Sequence, residues 1–327
     1  MSGFRFNFQV NEADEEMSDT EVSMNMTHGD GATPDVPEDP AAQLTPNITT
    51  VLFPVTVNDF APAPGISLWR RNAVDFESTF TASTKSAVLT HNTQSDLLPG
   101  VYEGGFKSWE ASTDLTIYLQ GLLTDGQLTI GPSTRVLELG CGSALPGIFL
   151  LTRGAGLVDF QDYNADVIHQ VTLANIALNV ARRPDTQAPT EPIQLPLSVL
   201  EGLPSRFFTG DWASLSSLLV DSQGATQEYD LLLLSETIYS LANYQKQIQL
   251  IWTHLSRGNP NACALVAAKN HYFGVGGNMM DFEQALTAFR PAADGPADGG
   301  PVFNVSTVWN SSDSSVPRSI LKVSLRR

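Results

Sequence analysis

The chain has 327 residues, with 35 acidic side chains against 18 basic ones and a formal net charge of −17. Such a balance speaks against direct contact with nucleic acid, which takes clustered Lys and Arg to meet phosphates, and it admits a basic protein partner. The length suits one large α/β domain with an extension, or about two domains, and easily supplies an independent core.

Residues 1–50 hold ten acids against Arg5 alone. From 11 to 48 the sequence is rich in Pro, Thr and Met and poor in large apolar side chains. It buries too little to offset ordering, so 1–50 reads as an acidic, largely flexible segment. Phe4, Phe6 and Phe8 alternate at its start, which suits an added edge strand or a short partner motif. The N-terminus lacks a basic stretch followed by an apolar one, and no run of about 18 apolar residues occurs. Neither a secretory leader nor a membrane helix is therefore expected, and the expected location is cytoplasmic and nuclear. Residues 51–98 are broken by Pro54, Pro62, Pro64 and Gly65, with Val51–Phe53 and Ala87–Leu89 as candidate short strands. They read as an irregular extension packed on a domain formed by 99–327.

Within 99–327, strands and helices alternate. A glycine- and aromatic-rich loop over 96–110 leads into a helix at 110–123. Strands are predicted at 135–139, 157–162, 206–209, 229–234 and 262–268. Helices follow at about 144–153, 165–182, 212–220, 241–256 and 279–290, with a Pro- and Thr-rich insertion at 183–204. Tyr229–Leu234 is apolar almost throughout and belongs at the centre of the sheet. The last two strands, 302–309 and 319–325, alternate apolar and polar residues like a terminal antiparallel hairpin. The fold class is α/β, a doubly wound, mostly parallel sheet. Cys141 and Cys263 each fall at or beside a predicted buried strand, which indicates neither a disulfide framework nor a metal site.

The stretch Arg135-Val-Leu-Glu-Leu-Gly-Cys-Gly-Ser-Ala144 carries the most information. It runs a buried strand into a glycine turn and then a helix, and the next strand ends in Gln161-Asp162-Tyr163. A glycine turn brings backbone N–H groups close to a ligand, and an acid at the tip of the next strand suits ribose hydroxyls. Gly140-x-Gly142 followed by Ala144 misses the dinucleotide spacing. It fits the acid-x-Gly-x-Gly turn of S-adenosylmethionine enzymes. Glu138 is placed to approach the methionyl ammonium, or else it stabilises the following helix N-terminus. Asp211, at the third strand end, is suited to accept from an adenine amino group. Trp109 and Trp212 are suited either to cover a ligand or to pack in the core.

Five segments together resemble the protein-histidine N-methyltransferase family of seven-stranded enzymes. They are Leu98–Glu110 (LPGVYEGGFKSWE), Leu137–Gly142 (LELGCG), Phe160–Asn164 (FQDYN), Ser235–Tyr239 (SETIY) and His271–Gly277 (HYFGVGG). The resemblance spans about residues 98–277. It implies S-adenosyl-L-methionine as cofactor and a histidine of a basic large-subunit ribosomal protein as acceptor; a monomer is expected. It implies cofactor contacts at Ser108, Trp109, Glu110, Ala111 and Ser112, at Gly140, at Gln161, Asp162 and Tyr163, at Gly210, Asp211 and Trp212, and at Ser235. Glu138 and Gly142 join them from the reading of the turn. The family often has isoleucine, cysteine and threonine at positions 108, 111 and 112, and glycine at 144.

Methyl transfer from a sulfonium is an in-line displacement that needs an available lone pair and correct distance. Neutral imidazole supplies one, and a partner on the other ring nitrogen fixes the tautomer. Glu236 and Tyr239, just past the fourth strand, resemble the acid-x-x-Tyr element of related protein methyltransferases and are the expected acceptor-orienting groups. His271 is a further candidate contact, although a histidine in a glycine-rich loop is more often structural. Two other functions suit the same residues. One is lysine methylation, whose rate would rise steeply between about pH 7 and 9. The other is a non-catalytic cofactor-binding chaperone for a basic ribosomal protein.

Overall fold

Apolar runs bounded by glycines, prolines and acids set the order of elements. The computed structural model describes residues 39–45, 57–72, 102–181, 197–292, 300, 302–312 and 315–326. Its strands are β1 (Ala42–Leu44), β2 (Val57–Phe60), β3 (Leu68–Arg71), β4 (Arg135–Leu139), β5 (Leu157–Asp162), β6 (Ser205–Thr209), β7 (Leu231–Ser235), β8 (Cys263–Lys269), β9 (Phe303–Asn310) and β10 (Arg318–Leu325). The helices are α1 (Glu110–Thr124), α2 (Leu145–Thr152), α3, α4 (Trp212–Leu215), α5 (Tyr244–His254) and α6 (Met279–Ala288). Helix α3 runs through Ala165–Val167, a π-helical turn at Ile168–Thr172, and Leu173–Ala181.

Eight strands form one sheet in the order β1-β6-β5-β4-β7-β8-β10-β9. β6, β5, β4, β7 and β8 are parallel, and β10 enters antiparallel between β8 and β9. This is the doubly wound, mostly parallel, seven-stranded sheet expected from the sequence, with β1 added at its edge. Winding starts at β4 and reverses there, with β5 and β6 on one side and β7 and β8 on the other. A ligand crevice lies outside the carboxyl ends of the strands at such a switch point. The register brings those ends level: Leu139 pairs with Gln161 and Leu234, Asp162 with Thr209, and Ser235 with Ala267.

Both faces of the sheet are covered, as a parallel sheet requires. One core joins Leu115 and Leu119 of α1, Ile148 and Phe149 of α2, and Leu173 and Leu178 of α3 to Val158 and Phe160. The other joins Ile248 and Ile251 of α5 and Phe282 and Leu286 of α6 to Leu232, Leu234 and Val266. None of the helices among the described residues is long and apolar enough to cross a membrane.

Three features depart from the sequence reading. Ala42–Leu44 falls inside the segment read as acidic and flexible, yet it pairs antiparallel with β6. Phe4, Phe6 and Phe8 lie outside the described residues, as do the candidate strands Val51–Phe53 and Ala87–Leu89. Within the extension read as irregular, β2 and β3 form a hairpin, and Asn179 of α3 exchanges hydrogen bonds with the Trp69 backbone at 2.8 and 2.7 Å. The helix expected over 212–220 is only the four residues of α4. The Ser217 hydroxyl bonds back to the Ser214 carbonyl at 2.8 Å, a local alternative to helix extension that serine favours.

Candidate active site

The turn after β4 is built from left-handed backbone. Gly140 has φ +60°, Gly142 φ +49° and Ala144 φ +57°. The first two are glycines, to which this region costs little; Ala144 has a side chain and bears about 1–2 kcal/mol of strain. The turn is tied down from three sides. Asp162 accepts from the Gly142 N–H at 2.9 Å and from the Asn164 N–H at 3.1 Å. Gln161, fully buried, accepts from the Gly140 N–H at 3.2 Å and the Trp212 ring N–H at 2.7 Å, and donates to the Gly210 carbonyl at 2.8 Å. The Thr172 hydroxyl donates to the Gly142 carbonyl at 2.8 Å from the π-helical turn of α3. A π turn inserts one residue and re-aims the side chains around it, and such turns gather at functional sites.

Glu138 divides its carboxyl between two roles. Oε2 accepts from the Gly147 N–H at 2.8 Å, so it satisfies one of the free donors at the start of α2. Glycine at 147 leaves room for this contact, because a Cβ there would lie 2.4 Å from that oxygen and displace it. Oε1 is buried with no partner. Burial pushes the Glu138 pKa up to about 8; the Gly147 N–H opposes this and Asp162 adds to it. Burial likewise raises Asp162 to about 6, against the backbone N–H groups of Asn164 and Gly142. An orphaned buried carboxyl beside a second carboxyl is a cradle for a cation. The stability of the ligand-free protein should report it. Glu138 has its folded pKa raised from 4.5 to about 8. Its contribution is therefore complete below about pH 4.5 and is lost as pH rises through 8. Glu138→Gln should flatten the stability profile in that window when thermal midpoints are measured from pH 5 to 9; a mutant profile parallel to wild type would contradict this environment.

The remaining predicted contacts line the same rim with uneven freedom. Asp211 is not open to an adenine group in this arrangement. Its Oδ1 caps α4 by accepting from the Ala213 N–H at 2.7 Å, and its Oδ2 pairs with the Lys246 ammonium at 2.9 Å. Tyr163 turns its carbonyl to the Gly210 N–H and the Thr209 hydroxyl. Gly210, at φ +89°, lets Pro40 approach, since a Cβ would lie 2.5 Å from the Pro40 carbonyl oxygen. At the start of α1, Ala111 and Ser112 are buried and Ser108 and Glu110 are exposed. The Ser112 hydroxyl has no partner, a second orphaned polar atom on this rim. Trp109 is not core packing: its ring N–H donates to the Gly104 carbonyl at 3.1 Å, and the Lys269 ammonium sits 4.9 Å above its ring.

On the acceptor side, Glu236 is buried at 8% exposure and has φ +57°, a backbone conformation that non-glycine residues seldom adopt. One of its oxygens accepts from the Tyr272 hydroxyl, and Oε1 is buried without a partner. Burial raises its pKa; the Tyr272 hydroxyl, Lys269 and the Ala111 N–H oppose the rise, and Glu110 adds to it. Tyr239 does not share this group. Its hydroxyl donates to Glu103 instead, and burial raises its pKa well above that of a free phenol. Ser235 ends β7 beside Ala267. His271 is exposed and bridges Asn278 through its backbone; among the described residues, no recorded contact brings its ring to Glu236 or Tyr239. Sequence reasoning passed over Glu103, Thr172, Lys269 and Tyr272. Tyr272 sits inside the quoted His271–Gly277 segment, next to the histidine that drew attention.

No family model matches the chain, but curated proteins do. Histidine protein methyltransferase 1 homolog from Bos taurus is 39% identical over 197 residues, which is 59% of this chain and 51% of that one. Histidine protein methyltransferase 1 from Schizosaccharomyces pombe is 34% identical over 208 residues, covering 58% and 59%. The Saccharomyces cerevisiae protein of that name is 31% identical over 237 residues, covering 62% of each. Over these spans the chain is similar in sequence to histidine protein methyltransferase 1. It spans roughly half to three-fifths of the length of these relatives. Among solved structures, an O-methyltransferase from Bacillus cereus in complex with SAH aligns at TM-score 0.41 and 12% identity over 76% of this chain and 92% of that one. That likeness is too low to add to the strand order.

Proposed function

We propose that the chain is an S-adenosylmethionine-dependent protein methyltransferase that methylates a histidine ring nitrogen of a basic, large-subunit ribosomal protein. The observation that carries the reading is the pair of orphaned buried carboxyl oxygens on one rim, on Glu138 and Glu236. One suits a cationic donor and the other suits the N–H of an incoming ring. The names borne by the relatives support the histidine acceptor, and the acidic balance of the chain suits a basic protein.

The residues present fit the cofactor. Glu138 Oε1 would take its ammonium, Ser112 Oγ a further polar group, and the Gly140–Gly142 turn would receive it closely. When bound, it supplies an electrophilic methyl on a sulfonium. The chain's own residues do the rest. Asp162 and Gln161 hold the turn in shape. Glu236 accepts the N–H of one ring nitrogen, so the lone pair lies on the other. No residue has to remove a proton before attack, because neutral imidazole already carries its lone pair. Activity should therefore fall below about pH 6 and level off above about pH 7.5, following an imidazole near pKa 6.5.

The test is amino-acid analysis and mass spectrometry of purified ribosomal proteins after incubation with enzyme and labelled cofactor. Methyl-histidine in one large-subunit protein is expected. Methyl-lysine alone, with a rate still climbing from pH 7 to 9, would move the assignment to lysine; no incorporation with intact cofactor binding would favour the chaperone.

A further inference from the structure

The hairpin after β8 carries an aromatic residue that the cofactor site does not need. His271 and Asn278 bridge at its base, and the Tyr272 N–H donates to the Gly277 carbonyl at 3.0 Å. Its far end is exposed, with Phe273 90% accessible. Its near end is pressed onto the segment after β7. The Gly277 N–H donates to the Tyr239 carbonyl at 2.9 Å, and a Cβ at Gly277 would lie 2.1 Å from the Ile238 carbonyl oxygen. Glycine at 277 is what allows this closure.

The closure fixes Tyr272 against Glu236. The Tyr272 oxygen accepts from the Lys269 N–H at 3.3 Å, so its own hydrogen is the one directed at the Glu236 carboxyl. Burial and the neighbouring Glu236 keep that phenol protonated, hence a donor. The ring packs edge-on against Tyr239, with centroids 6.4 Å apart.

We propose that Tyr272 is a positioning residue for the methyl acceptor: it occupies one oxygen of Glu236 and leaves the other, buried and unpartnered, as a single acceptor for a ring N–H. This rests on the methyltransferase reading and adds to it a reason for one outcome, the choice of ring nitrogen. A carboxylate with both oxygens unpartnered offers two docking geometries, and one with a single unpartnered oxygen offers one. The strained backbone at Glu236 serves the same end, because the left-handed turn sets where its side chain leaves the strand. The groups that act on this carboxyl are Tyr272, Lys269, the Ala111 N–H and Glu110.

The experiment compares wild type with Tyr272→Phe, Tyr272→Ala, Glu236→Gln and the Tyr272→Phe/Glu236→Gln double variant, all in the full chain. Tyr272→Phe keeps the ring and removes one charge-assisted hydrogen bond. It should lower kcat about tenfold or more with S-adenosylmethionine affinity unchanged by calorimetry, and the double variant should be no slower than Glu236→Gln alone. The proposal is overturned by multiplying losses in the double variant, or by a Phe variant equal to wild type beside a damaged Ala variant, which marks packing alone. An NMR titration of the Glu236 carboxyl in labelled protein, assigned with Glu236→Gln, needs no turnover. An upward shift in Tyr272→Phe supports the contact and an unmoved titration overturns it. Failure of the histidine reading shows separately, as wild-type product without methyl-histidine.

Discussion

Gly140→Arg should abolish S-adenosylmethionine binding. The position has φ +60°, so any side chain there bears left-handed strain of about 1–2 kcal/mol. Its Cβ would start 2.8 Å from the Thr237 methyl and 3.7 Å from the Trp212 ring. The Thr237 side chain is not free to give way, because its hydroxyl donates to Gln247 at 3.1 Å and the Gln247 amide returns to the Thr237 carbonyl at 2.9 Å. A long cation leaving between Thr237 and Trp212 enters the crevice at the carboxyl ends of β4 and β7. Asp162→Ala should act more mildly, by about 1.5–3 kcal/mol in affinity, the loss of hydrogen bonds to a charged group. Calorimetry is the measurement, with a thermal midpoint beside it to show that the variants are folded. Wild-type affinity in a folded Gly140→Arg protein would remove the cofactor from this turn.

The rim was legible where chemistry follows local order. Leu137-Glu-Leu-Gly-Cys-Gly142 announces itself, because a carboxylate inside a continuous apolar strand has no cheap explanation other than a partner at its end. Glu138 meets the helix-end expectation with one oxygen and leaves the other unpartnered, a division that no pattern of residue types encodes. β7, β8 and the terminal hairpin were likewise readable, since buried parallel strands are apolar throughout and antiparallel strands with one wetter face alternate. What stayed hidden depends on contacts between distant parts of the chain. Asp211 looks like a free strand-end acid until Lys246, 35 residues later, takes one of its oxygens. The Tyr272 partner of Glu236 is 36 residues away, and the Glu103 partner of Tyr239 is 136 away. The π-helical turn that delivers Thr172 to Gly142 left no trace either, because one inserted residue does not disturb the apolar periodicity of Ile168, Val171, Leu173 and Ile176 enough to be seen.

Glu236→Gln should lower kcat by about 10²-fold while leaving S-adenosylmethionine affinity nearly unchanged, since it removes a contact strongest in the transition state. The size follows from geometry more than charge. If the amide oxygen keeps the Tyr272 hydroxyl, the amide NH2 lies where Oε1 was and meets the ring N–H of the acceptor donor to donor. The imidazole then has to rotate or change tautomer, and misplacement of a nucleophile by about 1 Å costs on the order of a hundredfold. The same argument sets a second outcome. An NH2 group in that place favours the tautomer whose lone pair faces it and leaves an N–H toward the methyl donor, so residual turnover runs through the disfavoured tautomer and its product should keep the wild-type isomer. Chromatographic separation of the two methyl-histidine isomers reads this directly. That isomer made by the variant at the wild-type rate would mean that Glu236 does not hold the acceptor and that its unpartnered oxygen serves another purpose.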